Sequence, residues 1–105
     1  MLIVETKIEV FNIPTTGNKI TERDIIKQQL RITKDFKKYF PGRDCEIIII
    51  IVGTSYPTLF KYREGRSHIW KLGKEIIMKL QLQAGSQVLI KKYSHFNYEL
   101  EVIEH

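Results

Sequence analysis

The chain has 105 residues, 43% of them hydrophobic and 28% charged, with one cysteine and a formal net charge of +5. That length suits one domain, residues 1–105, with a single buried core. The lone Cys45 excludes an internal disulfide, and the Cys and His residues lack metal-ligand spacing, so no cofactor is expected.

The opening stretch MLIVETKIEV alternates like a strand and carries no basic leader or cleavage site. A strand over residues 1–13 is expected, with Ile3, Ile8, Val10 and Phe11 as core contributors, and the location expected is intracellular. Pro14 to Asn18 (PTTGN) reads as a turn. Residues 19–29 (KITERDIIKQQ) admit two readings. Ile20, Ile25 and Ile26 can place one turn of helix capped by Thr21, or they can pin a long ordered loop to the body of the fold. The remaining residues there, Thr21, Glu22, Arg23, Asp24, Lys27, Gln28 and Gln29, form a full set of base-edge readers: Arg and Lys for guanine, Gln for adenine, acids for the cytosine amino group.

Leu30 and Ile32 alternate with Arg31 and Thr33 as a half-buried strand does. Asp35 can serve as cap or first-turn acid of a short helix bearing Phe36, Tyr39 and Phe40, which Pro41-Gly42 stops. Cys45 to Val52 is nearly all β-branched and too short to cross a membrane. Such a run suits a strand covered on both faces at the centre of a sheet or barrel. Cys45, at its head, reads as a small buried hydrophobe rather than a nucleophile.

Gly53-Thr54-Ser55 follows as a turn, and Tyr56 to Tyr62 as a strand in which Pro57 predicts an edge position or the strand's first residue. Arg63 to His68 is a second exposed polar loop, tight at Gly65, with His68 either touching a phosphate or facing solvent. Ile69 to Leu72 is a short strand; Trp70 and Tyr62 could offer a stacking surface, but at strand spacing they read rather as core or barrel-end plugs. Lys74 to Leu80 is a helix burying Ile76, Ile77 and Leu80. Leu82 and Ala84-Gly85 close a turn, and Val88 to Ile90 forms a strand. Ser94 to Asn97 is a loop, and Tyr98 to Ile103 a strand with Tyr98, Leu100 and Val102 inward.

Leu30–Val52 and His68–Lys92 both read strand, short helix, turn, strand. Lys34-Asp35-Phe36 matches Lys74-Glu75-Ile76, and Ile47–Ile50 matches Val88–Ile90. Two such units suggest a pseudo-two-fold barrel of two halves. The expected fold is therefore mostly β (α+β): a seven-stranded open pseudobarrel with two short helices.

Charge is polarised along the chain. Residues 19–43 hold eight Lys/Arg (Lys19, Arg23, Lys27, Arg31, Lys34, Lys37, Lys38, Arg43) against Glu22, Asp24 and Asp35. Residues 61–74 hold five (Lys61, Arg63, Arg66, Lys71, Lys74) against Glu64 alone. Both termini lean acidic. This pattern points mildly to a polyanion. Catalytic signatures are missing. Glu5-Thr6-Lys7 has no preceding acid to complete a metal-dependent nuclease site, neither His68 nor His95 begins a His-x-Lys motif, and no glycine-rich phosphate loop occurs.

The run ITERDIIKQQLRITKDFKKYFP resembles the start of the DNA-binding pseudobarrel found in the plant "B-three" transcription-factor domain and in restriction endonuclease recognition domains of the EcoRII N-terminal type. Ile20-Thr21 and Asp24-Ile25 stand for the plant Leu-Thr-x-x-Asp-Val segment. Leu30, Ile32 and Lys34 stand in the following strand, and Phe40-Pro41 closes the helix. Trp70, Glu75 to Leu80, Leu82 and Ala84-Gly85-Ser86 resemble the family's second half. Thr33 replaces a strand proline, Ser86 replaces the Asp after the turn glycine, and Trp70 is displaced, which leans away from the plant branch and towards the endonuclease-associated one.

The resemblance implies a non-enzymatic module that grips the major groove of double-stranded DNA with two arms, about Thr21 to Gln29 and about Arg63 to His68. These are the two polar loops already distinguished by composition. It implies base contacts from Arg23, Lys27, Gln28 and Gln29, with Thr21 and Asp24 in the same arm, and from Arg63, Arg66 and Ser67, beside His68. Lys34, Lys37, Lys38 and Lys71 would hold phosphates. A nuclease domain or subunit would be the protein partner, no membrane is involved, and the bacterial cytoplasm would be the location. Two alternatives stand beside this reading: a swapped-hairpin AbrB-like regulator, which uses half this length per subunit, and a protein-interaction barrel with no nucleic-acid role.

Overall fold

The computed structural model describes residues 8–14 and 19–103. In chain order the elements are β1 (Glu9–Ile13), α1 (Glu22–Ile26), β2 (Gln29–Ile32), a 3-10 helix (Lys34–Tyr39), β3 (Cys45–Ile51), β4 (Thr54–Lys61), β5 (His68–Lys71), α2 (Lys74–Leu80), β6 (Gln87–Ser94) and β7 (Asn97–Ile103). The strands form one seven-stranded sheet in the order β1-β6-β7-β3-β4-β5-β2. It curls into a barrel whose end strands, β1 and β2, do not pair. All pairings are antiparallel except β3 with β7. The repeat seen in the sequence is present: each half runs strand, helix and hairpin, and the two leading strands, β2 and β5, pair with each other antiparallel. One chain supplies every strand, so the barrel needs no hairpin swapped in from a second subunit.

The β-branched run of β3 does lie at the centre of the sheet order. Ile47, Ile49 and Ile51 are buried inside, while Ile48 and Ile50 are half-covered on the outer face. Thr58 lies opposite Ile47 on β4. Its hydroxyl donates to the Ile47 carbonyl at 2.7 Å and accepts from Trp70 Nε1 at 2.8 Å, so the tryptophan is wholly internal. Phe40, the residue before Pro41, leaves the 3-10 helix in extended geometry (φ −122°, ψ 159°), as a residue preceding proline must. That step carries its ring into the barrel, 5.6 Å from Phe60, 5.3 Å from Trp70 and 5.1 Å from Tyr98, centroid to centroid. The Tyr98 hydroxyl donates to the Tyr39 carbonyl at 2.6 Å and ties the helix end to β7.

Several sequence expectations change. Residues 19–29 contain a true helical turn, so the described residues hold three short helices rather than two. Of its three isoleucines, Ile20 is buried and Ile25 half-buried, but Ile26 points outward. In β1 the inward residues are Phe11 and Ile13, opposite Ile90 and Val88, which leaves Ile8 and Val10 exposed; Ile3 lies outside the described residues, as does most of the PTTGN turn. The strand has period 2, so pairing Phe11 and Ile13 with the interior of β6 turns Val10 out. Pro57 lies within β4, an interior strand of the sheet, yet β5 pairs only with Leu59 to Lys61. The free flank at Pro57 is therefore a local edge, which is what a residue without an N–H requires. Cys45 is half-buried, and burial pushes its thiol pKa up, away from thiolate chemistry. Among the described residues, no helix is long and apolar enough to cross a membrane.

Candidate nucleic-acid interface

Strand pairing sets the two polar loops at opposite ends of one ribbon. Segment 21–28 enters β2, and segment 62–67 enters β5. Because β2 and β5 are antiparallel (Gln29 opposite Lys71, Ile32 opposite His68), the loops leave opposite ends of a four-residue ribbon about 10 Å long, at roughly 3.4 Å per residue. Period-2 alternation sends Leu30, Ile32, His68 and Trp70 into the barrel. It leaves Gln29, Arg31, Ile69 and Lys71, with Lys61 of β4, on the outer face between the arms.

The first arm is stapled at both ends. The Ile20 carbonyl accepts from Gly85 N at 2.8 Å, and the Gln28 carbonyl accepts from Leu72 N at 2.9 Å and Gly73 N at 3.3 Å. Gln28 itself sits at φ 57° to make that turn. Thr21 caps α1 in a reciprocal box with Asp24: Asp24 N donates to Thr21 Oγ1 at 3.2 Å, and Thr21 N donates to Asp24 Oδ2 at 3.0 Å. Asp24 is only 3% exposed. Its carboxylate also accepts from Arg31 Nε at 3.0 and 3.1 Å and from Gln29 Nε2 at 3.2 Å. Burial pushes the Asp24 pKa up, but the bonds from Arg31, Thr21 and Gln29 and the charge of Arg31 outweigh it and hold the carboxyl below its usual range. Gln29 completes the chain by accepting from Lys71 Nζ at 3.4 Å.

The second arm is braced by its own side chains. Gly65 (φ 71°) makes the tight turn. Arg63 N donates to His68 Nδ1 at 2.9 Å, Arg63 Nε donates to the Ser67 carbonyl at 2.8 Å, and Lys37 Nζ reaches the Arg63 carbonyl at 3.1 Å. Tyr62 N donates to Asp44 Oδ1 at 2.8 Å, and the Tyr62 ring lies 4.7 Å from the His68 ring. His68 is buried rather than solvent-facing, as alternation along β5 demands once Ile69 lies on the outer face. Burial, then the charges of Lys37 and Arg63, depress its pKa, and the ring stays neutral with Nδ1 free to accept.

The cleft between the arms gathers seven cationic side chains: Arg23, Lys27, Arg31, Lys61, Arg63, Arg66 and Lys71. Among the described residues that line it, the one acid is Asp24, already engaged by Arg31. Arg23, Lys27, Lys61 and Arg66 are exposed, and none of the four has a side-chain hydrogen bond or ion pair among the described residues. Sequence reasoning did not assign Arg31 and Lys61 to the site, although both lie in the basic runs; strand parity puts them on the cleft floor. Thr21, Asp24, Gln29 and His68, by contrast, hold the arms in shape with the atoms expected to read bases. Lys37 braces the second arm instead of standing free. Lys34 and Lys38 are exposed on the 3-10 helix but do not line the cleft; Lys38 Nζ sits 5.2 Å from the Tyr39 ring centroid. Among the described residues, no three His, Cys, Asp or Glu gather as metal ligands would.

The chain matches no protein-family model and no curated protein by sequence. Its fold is shared with solved structures. A hypothetical Arabidopsis thaliana protein superposes with a TM-score of 0.72 at 14% identity, covering 98% of this chain and 97% of that one. The Arabidopsis FUS3–DNA complex gives 0.68 at 11% identity, with 90% and 95% covered. The N-terminal domain of Helicobacter pylori LlaJI.R1 gives 0.61 at 16% identity, with 91% and 88% covered. At these identities the likeness is one of fold, and the fold is the "B-three"-type pseudobarrel expected from the resemblance.

Proposed function

We propose that this chain is a sequence-specific binding module for double-stranded DNA, which seats a major groove on the cleft between its two arms. The observation that carries this reading is the cleft itself: cations from both arms and from the strand floor converge there, with the one acid neutralised internally. The FUS3 structure, of the same fold, is a complex with DNA, which supports the same partner for this chain.

Arg23, Lys27 and Arg66 are the base readers in this reading, with Gln28 and Ser67 as flanking polar contacts. Lys61 and Lys71 hold phosphates near the cleft, and Lys34 and Lys38 hold them beyond it. Thr21, Asp24, Gln29, Lys37 and His68 keep the arms in place, as does the Arg63 guanidinium through Ser67. We further assign the module to target recognition in a restriction endonuclease or a related regulator, with nuclease chemistry on another domain or subunit. The departures from the plant pattern at Thr33, Ser86 and Trp70 and the fold shared with the LlaJI.R1 N-terminal domain support that branch.

Selection of bound duplexes from a random pool at near-physiological salt tests the reading. A short enriched motif is expected. Binding with no enrichment that vanishes as salt rises would reduce the cleft to an electrostatic surface and sink the proposal.

A further inference from the structure

Ile26 is 79% exposed, at the end of the helical turn that forms the first arm. Its neighbour Ile25 packs against the core, so the helix had an inward site available to an isoleucine and filled it one residue earlier. At about 100° per residue, Ile26 lies about 60° from Arg23 on one side and about 40° from Glu22 on the other, with Lys27 about 100° away beyond Arg23. Arg23 and Lys27 both line the basic cleft. An exposed branched aliphatic side chain thus stands between Glu22 and Arg23, beside the cleft lining, on an arm that, on the reading above, enters a major groove. Base edges there carry donors, acceptors and one apolar group, the methyl on C5 of thymine. A 5-methylcytosine displays the same methyl at the same ring position.

We propose that Ile26 is a specificity-determining residue that reads a pyrimidine C5-methyl group in the major groove. Arg23 and, beyond it, Lys27 supply the neighbouring polar contacts, and Ile26 supplies the apolar one. This inference rests on the DNA-binding reading, and its test separates the two.

The selected duplex is remade with each thymine replaced singly by deoxyuridine, which removes only the methyl, and separately with each cytosine replaced by 5-methylcytosine. Affinities are measured for the wild-type chain and for Ile26→Ala, whose folding is checked by circular dichroism; so exposed a side chain contributes little to the core. At one position the wild type is expected to lose about fourfold in affinity on removal of a thymine methyl, the worth of one buried methyl group, and Ile26→Ala is expected to bind both duplexes alike. A gain confined to one 5-methylcytosine, and likewise abolished in Ile26→Ala, would identify methylated cytosine as the source of the methyl. Binding that is sequence-specific yet indifferent to every methyl, or a methyl effect that persists in Ile26→Ala, would overturn this inference and leave the DNA reading standing. Failure of the wild type to select any duplex would overturn both.

Discussion

Asp24→Asn isolates the network that shapes the first arm. The aspartate accepts from the Thr21 backbone on Oδ2, from Gln29 on Oδ1 and from Arg31 on both oxygens. Asparagine has nearly the same shape but one acceptor oxygen and one NH2. Whichever way the amide is turned, a donor from Thr21 or Gln29 meets a donor, at a site only 3% exposed. Leaving one buried donor unsatisfied costs about 1–3 kcal/mol. The ion pair adds less than about 1 kcal/mol, because the Arg31 side chain is 33% exposed and screened by solvent. The total is about 1–4 kcal/mol, or a fall in Tm of about 5–30 °C for a domain of this size. Urea unfolding followed by the fluorescence of buried Trp70 reads the loss at pH 7. The Asp24 pKa is depressed in the folded state, so its stabilisation is complete above the unfolded value of 3.8 and is lost as pH falls through the folded value. The gap between wild type and Asp24→Asn should therefore narrow below about pH 4. An unchanged urea midpoint at pH 7, with unchanged hydrogen exchange at the Thr21 amide, would refute the argument.

Val52 is 94% exposed at φ 46° beside Gly53 at φ 80°, a positive-φ pair at a hairpin tip where a β-branched residue is strained. Val52→Asn should raise stability by about 1 kcal/mol in thermal or urea unfolding. Thr58→Val removes both the acceptor of Trp70 Nε1 and the donor to Ile47 O inside the barrel, and should cost about 2–3 kcal/mol with a shifted Trp70 emission; native-like stability and emission would count against that account. Arg66→Ala should relax discrimination at one base pair by about 1–3 kcal/mol, whereas Lys34→Ala should weaken all duplexes alike and lower the salt slope by about one unit. Lys37→Ala releases the Arg63 carbonyl, and competition binding should show lost specificity as well as lost affinity.

Local pattern alone carried much of the fold. The Thr21–Asp24 spacing marks the helix start, Phe40-Pro41 marks the helix end, and Lys74–Leu80 has its apolar residues at helical spacing, so each boundary is written in a few adjacent residues. The β3 run and the alternation of β7 likewise declare strands, because side-chain parity depends on neighbours two apart. The charge runs located both arms for the same reason: they are contiguous in the chain.

Which polar side chains face the cleft was not legible, because their partners are remote. Gln29 is fixed by Lys71, 42 positions away, and His68 is turned into the barrel by the pairing of β5 with β2 and β4. A polar residue in a loop reads as solvent-facing until strand pairing supplies its partner. The sequence by itself determined seven strands and two basic loops from short-range periodicity and punctuation, while the barrel rested on the internal repeat and the family resemblance. Only the tertiary structure divided those arms into Asp24, Gln29 and His68, held inside by hydrogen bonds, and Arg23, Ile26, Lys27 and Arg66, left exposed. Burial of a polar group is decided by whether the fold brings it a partner, and that depends on contacts no local stretch contains.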